Sequence, residues 1–235
     1  MRPSIGRLNE NTLHAQLKEL YQGSGARSEV PVQGYIADVV GRGGRVIEIQ
    51  TAHFHRIRAK LQALLEHHRV RLVYPLALEK EIVVHGGAQD AVLYRRKSPA
   101  RRSLVCVVDE LVEVAALLRH PGFELEVILT REQETRRKDG RGSWRRRGIS
   151  LVDRRMLELV GRRLFLKPAD YLELLPDALA DTFTHRDLAR LLGAPLERAR
   201  RVTYCLRAAG VLEVIGREGR QYLFTRSGGC SARSR

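Results

Sequence analysis

Residues Tyr35–Thr51 read Y-I-A-D-V-V-G-R-G-G-R-V-I-E-I-Q-T, and this stretch decides the fold. Tyr35–Val40 and Arg45–Gln50 are rich in β-branched residues, and Gly41–Gly44 between them is dominated by glycine, so the pair predicts a β-hairpin. Each strand carries one acid in an apolar run, Asp38 in the first and Glu48 in the second. A buried carboxylate is costly unless neutralised, and two that converge repel each other. A divalent cation relieves both problems, because Mg²⁺ takes a few carboxylate oxygens and leaves its other positions to water and substrate phosphate. Glu48 and Gln50 are two residues apart and share one face of their strand, with Ile47 and Ile49 on the other. The expectation is a pocket for Mg²⁺ (or Mn²⁺) built on Asp38 and Glu48.

The flanking segments extend this pattern. Asn9–Tyr21 places Leu13, Leu17 and Leu20 at helical spacing, with Asn9 as N-cap and Glu10 in the first turn. Glu29–Val32 predicts a first strand, with Pro31 marking an edge or strand start. Ala52–His68 predicts a helix burying Phe54, Ile57, Leu61, Leu64 and Leu65, and Val70–Pro75 a further apolar strand. The order is helix, three strands, helix, strand.

Asp38 followed by Glu48-Ile49-Gln50 resembles the PD-(D/E)XK nuclease superfamily, whose core has this same element order. Ala37-Asp38 stands where the family has Pro-Asp, and Glu48-Ile49-Gln50 where it has Glu-x-Lys. The resemblance implies an α/β, restriction-endonuclease-like core: a mixed sheet flanked by helices. It implies metal ligation by Asp38, Glu48 and the main-chain carbonyl of Ile49, with Glu10 as a further acid. The family Lys is missing, so Gln50, or Lys60 from the following helix, would take its place beside the attacking water. Glu10 also suits a helix first turn electrostatically, without any catalytic duty.

Composition points to a polyanionic partner. The net charge is +15 and the pI about 10.5, which favours nucleic acid through counterion release. Six of the 42 basic residues are Lys and the rest Arg, a bias that a GC-rich coding sequence also produces. No run approaches the roughly 18 apolar residues of a membrane span. The N-terminal M-R-P-S-I-G-R lacks an apolar signal core, so a soluble cytoplasmic protein with no membrane partner is expected. Cys106, Cys205 and Cys230 are scattered, which argues against a disulfide framework or a zinc site. His53-x-His55 and His67-His68 lack the i, i+4 spacing of a helical metal pair.

Four segments follow: a nuclease-like domain over 1–100, a basic middle segment over 101–165, a DNA-binding domain over 166–227 and a disordered tail over 228–235. In the middle segment, Ser103–Arg119 predicts a helix, Phe123–Thr130 a strand and Arg131–Arg147 a polar loop. Trp144 beside Arg145 and Arg146 offers a ring and charge to nucleic acid. In the third segment, a helix from Pro168, a capped helix Thr184–Leu192, a turn at Gly193–Pro195, a helix Leu196–Ala209 and two strands resemble a winged helix-turn-helix domain. There the second helix of the motif enters the major groove. Arg198, Arg201, Tyr204 and Arg207 on that helix, and Arg217 and Arg220 in the wing, are the candidate DNA contacts.

The sequence therefore points to a Mg²⁺-dependent DNA endonuclease acting on duplex or branched DNA with no small-molecule cofactor. A homodimer would supply two active sites for cutting both strands. The alternatives are a catalytically inactive, nuclease-like DNA-binding regulator and an RNA-binding or RNA-processing protein.

Overall fold

Two tight turns set the first sheet edge. Gln33 and Gly34 both take positive φ (48° and 80°), the two-residue geometry that joins β1 (Arg27–Val32) to β2 (Tyr35–Val40) with Val32 opposite Tyr35. Gly43 and Gly44, both at φ 76°, close the second turn into β3 (Val46–Ile49), as the glycine run predicts. This is a computed structural model, and it describes residues 12–23, 25–86, 91–142 and 148–227. Glu10, Trp144, Arg145, Arg146 and the tail 228–235 lie outside the described residues.

The protein is α/β, built on a seven-stranded mixed sheet in the order β1-β2-β3-β4-β6-β7, with β5 paired to β4. The first helix, α1 (Thr12–Glu19), covers one face with Leu13 and Leu17 packed on Val39, Ile47, Ile49, Val73 and Ile128. The second helix, α2 (Arg58–Leu65), covers the other face with Leu61 and Leu64, against Leu72 and Tyr74 of β4 (Val70–His85). It starts later than its apolar spacing predicts: His53 is left-handed (φ 62°) and Phe54–Arg56 is a 3-10 turn. β3 and β4 run parallel, Glu48 opposite Leu72.

The later strands differ most from expectation. β4, β6 (Phe123–Lys138) and β7 (Ile149–Phe165) are 16, 16 and 17 residues long. The expected polar loop after Thr130 is strand as far as Lys138, and the basic segment 101–165 supplies β6 and β7 to the same sheet as β1–β4, across the expected boundary at residue 100. The physical reason is cross-strand pairing of charge. Glu132 meets Arg154 at 2.7 Å, Glu134 meets Lys80 at 2.5 Å, and Arg131 meets Glu158 at 2.7 Å, while Arg136 on the same strand adds a contact to Glu134 at 2.6 Å. Nearer the sheet centre, buried Glu124 and Glu126 are both gripped by Arg71. Charge that looks like a loop is thus the cross-strand glue of a ribbon. Strand β5 (Val92–Lys97) continues this arm as an exposed outer strand.

Ser103–Arg119 is broken rather than a single helix. It comprises 3-10 turns Leu104–Val107 and Val112–Leu117 around a short α3 (Val108–Leu111), a result its many valines favour. The C-terminal region holds a 3-10 segment Pro168–Leu174, β8 (Thr182–Phe183), α4 (His185–Leu192), α5 (Leu196–Ala209), β9 (Leu212–Glu218) and β10 (Gln221–Arg226). Thr184 and Asp187 form a reciprocal capping box at the start of α4. Its three strands form a second sheet, β8-β10-β9. One apolar core joins both regions: Val202 and Leu206 of α5 belong to the same cluster as Leu111 and Val114. No helix among the described residues is long and apolar enough to cross a membrane.

Phe165, fully buried at the end of β7, stacks on Tyr171 with ring centroids 5.1 Å apart. Phe165→Ala should cost about 3–5 kcal/mol. Because the core is shared, the loss should appear in thermal melts as one lowered transition rather than a selective melting of one region.

Candidate active site

The site begins where a ladder stops. β2 and β3 pair at only two positions, Val39 with Ile47 and Val40 with Val46, and then diverge. Beyond them the Ile49 N–H donates not to β2 backbone but to Asp38 Oδ2, at 2.8 Å. Asp38 thereby satisfies the backbone and holds open a fork whose prongs carry Asp38 and Glu48.

A hydrogen-bond donor from each sheet face bridges the fork. From α2, the Lys60 ammonium donates to Glu48 Oε2 on β3 and, at 2.7 Å, to the Ile36 carbonyl on β2. From α1, His14 Nε2 lies 3.0 Å from the Ile49 carbonyl and 3.5 Å from Asp38 Oδ2. Both neighbours accept hydrogen bonds, so Nε2 is the nitrogen that carries the proton. The helix is registered on β7 by Gln16, which exchanges two hydrogen bonds with the backbone of Met156.

The two acids sit in opposite electrostatic states. Burial pushes Asp38 up, but the hydrogen bonds from His14 and the Ile49 N–H, with the charges on His14 and Lys60, outweigh it and hold its pKa below the ordinary value. Glu48 is 2% exposed, and burial pushes its pKa up to about 7, opposed by Lys60 and reinforced by the Asp38 charge. Its Oε1 is buried without a hydrogen-bond partner among the described residues. Such an orphaned oxygen is costly unless something else meets it.

The other expected residues divide. The Ile49 carbonyl lies at the fork but is occupied by His14. Gln50 turns to the loop: its amide nitrogen donates to the carbonyls of Ala52 and, at 3.5 Å, His53, so that N–H group does not reach between Asp38 and Glu48. His14, which the spacing of acids did not bring forward, takes the place on α1. Among the described residues no group of three or more His, Cys, Asp and Glu side chains assembles as a metal cage. Two carboxylates and a carbonyl nevertheless suit Mg²⁺, which keeps several waters and binds through one or two carboxylates. The unpartnered Glu48 Oε1 fits that use.

The candidate DNA contacts also divide. Arg198 and Arg201 do not face outward freely: they pair with Asp109 of α3 at 2.9 and 3.0 Å and tie α5 to the sheet domain. Tyr204 is 56% exposed, and with exposed Arg200 and Arg207 it forms one face of α5 at i, i+4, i+7 spacing. Arg217 stacks over the Tyr222 ring at 5.0 Å, and Arg220 is exposed at the β9–β10 turn.

Residues 11–165 match a family described as a domain of unknown function (DUF8091), a match that ends where β7 ends. An uncharacterized protein of Treponema pallidum (strain Nichols) is 30% identical over 189 residues, covering 80% of this chain and 74% of that one. No solved structure matches.

Folding raises the Glu48 pKa from an ordinary 4.5 to about 7, so ionising this group works against the folded state. Its contribution is fully present below about 4.5 and is lost as pH rises to about 7. The melting temperature of Glu48→Gln relative to wild type should therefore climb across that interval and level off above it. A difference independent of pH would mean that Glu48 is ionised throughout.

Proposed function

The chain belongs to the DUF8091 family, and we propose that it is a Mg²⁺-dependent DNA endonuclease that hydrolyses phosphodiester bonds. The observation that supports this reading is the fork itself: Asp38 and Glu48 on diverging strands, Lys60 spanning both, and one Glu48 oxygen buried without a partner. In this reading the fork is that of a PD-(D/E)XK core, with Lys60 standing for the family Lys. Asp38, Glu48 and the Ile49 carbonyl would hold Mg²⁺ or Mn²⁺. The metal, when bound, supplies a water of lowered pKa and neutralises charge on the scissile phosphate. Lys60 positions Glu48 and offers positive charge to the phosphate. Against burial, the His14 hydrogen bond helps hold the Asp38 pKa below its ordinary value, which favours a hard anionic oxygen in the site.

The C-terminal arrangement supports a winged-helix reading, with α4 and α5 as the helix-turn-helix and β9–β10 as the wing. Tyr204, Arg207, Arg217 and Arg220, joined by Arg200, would meet the DNA, while Arg198 and Arg201 orient α5 through Asp109. Phosphate contacts of this kind position the duplex, and base contacts specify it.

One observation favours a second reading, a catalytically inactive DNA-binding regulator. Gln50 stands where the family has its Lys, and its amide nitrogen is held by the loop. A nicking assay on supercoiled DNA separates the two. Cleavage in Mg²⁺ or Mn²⁺ should vanish in Asp38→Ala and Glu48→Ala and fall roughly 10²–10³-fold in Lys60→Ala, with DNA binding retained in all three. Wild-type protein that binds duplex DNA but never nicks it with either metal would leave the regulator standing.

A further inference from the structure

A pocket of about 630 Å³ opens between the β4–β5 arm and the segment that leads from β5 into the 104–118 helices. Its walls carry Lys97, Arg101, Arg102 and Arg131, and its acids are Glu79, Glu81 and Glu132. The acids are already engaged. Glu132 is bound by Arg154 at 2.7 Å, Glu81 accepts from Gln133 at 2.5 Å, and Glu79 faces Arg131 at 3.7 Å. Lys97, Arg101 and Arg102 are exposed and form no ion pair among the described residues. With Lys80 also in the lining, five cations stand against three acids, so the concavity is net positive although Glu81 has only a neutral amide beside it.

The pocket lies along the strand that passes the fork. Glu48 is in register with Leu72 of β4, and Tyr74, two residues on, shares that face of the sheet. Burial raises the Tyr74 pKa, and Arg102 opposes it by charge and by a side-chain hydrogen bond, which places this guanidinium beside the path from fork to pocket. From Leu72 to Leu78, the first pocket residue on β4, the strand advances roughly 20 Å.

We infer that this pocket binds phosphates of a nucleic-acid backbone, forming a second anchor for the strand whose phosphodiester lies at the fork. The inference rests on the nucleic-acid part of the proposed function and is independent of cleavage. Backbone phosphate is the ligand because the exposed Lys97, Arg101 and Arg102 are flexible point and fork charges with no ring or amide among them to read a base. Exposed Tyr94 on β5 is not part of the pocket lining.

The test is fluorescence anisotropy with labelled duplex and single-stranded oligonucleotides, without divalent metal, between about 50 and 200 mM salt. The combined variant Lys97→Ala, Arg101→Ala, Arg102→Ala is compared with a charge-matched control, Lys138→Ala, Arg141→Ala, Arg155→Ala, from exposed positions outside the pocket. The pocket variant should bind at least about tenfold more weakly near 100 mM salt, with the log–log salt slope reduced by about 2–3, while the control changes little. Equal losses in both variants would reduce the effect to net charge and overturn the inference. Unchanged binding by the pocket variant, with wild type binding well, would overturn it while leaving the proposed function intact. Failure of wild type to bind either oligonucleotide would remove the proposed function and this anchor together. A loss confined to inorganic phosphate, measured by calorimetry, would make the pocket a small-anion site and also overturn it.

Discussion

The hydrogen bond from the Ile49 N–H to Asp38 is the constraint on which the candidate site depends. An antiparallel pair left to itself continues its ladder, and a closed β2–β3 ladder would leave no room between the two acids. Asp38 supplies the missing acceptor from its side chain, so the strands can separate without stranding a buried donor. The gap that results is bridged from one face by Lys60 and from the other by His14, each touching both prongs. Backbone satisfaction, the opening and the two bridging donors therefore form a single arrangement. Altering Asp38 disturbs all of them at once.

Much of this was readable from the residues alone. The glycines at 43 and 44 announced the turn, the β-branched runs announced the strands, and the Asp38–Glu48 spacing brought the acids to one place. Lys60 came forward only through the family resemblance, as a lysine of the helix that follows the hairpin. His14 did not, because its partners lie far along the chain and an isolated His carries no spacing signal. Gln50 was misplaced for a related reason: alternation along a strand predicts the face of a side chain, but the left-handed turn at His53 offers carbonyls that capture its amide. The long strands were hidden because charged residues suggest solvent. Here Arg, Lys and Glu answer one another across β4, β6 and β7, and the periodicity of apolar residues loses its meaning.

The C-terminal region shows how tertiary contact redirects a surface. Helical spacing correctly gathers the basic residues of α5, yet it does not reveal which of them face a neighbour. Asp109, on a short helix of the sheet domain, takes Arg198 and Arg201 and leaves Arg200, Tyr204 and Arg207 outward. The same contact, with the shared apolar core beneath it, limits independent motion of α5 against the sheet. A ligand that engages α5 therefore meets a surface already fixed relative to the fork.

Arg71 places one nitrogen on Glu124 and another on Glu126, spanning two successive same-face positions of β6 with a single planar group. A lysine ammonium donates from a single nitrogen and cannot reach the two carboxylates with separate, pre-spaced N–H groups as the guanidinium does. The heavy preference for arginine in this chain is thus partly an interior requirement, whatever codon usage contributes. Exchanging the two cationic residue types, ordinarily treated as conservative, is not equivalent inside the sheet, and the interchangeable positions are to be sought on the outer surface.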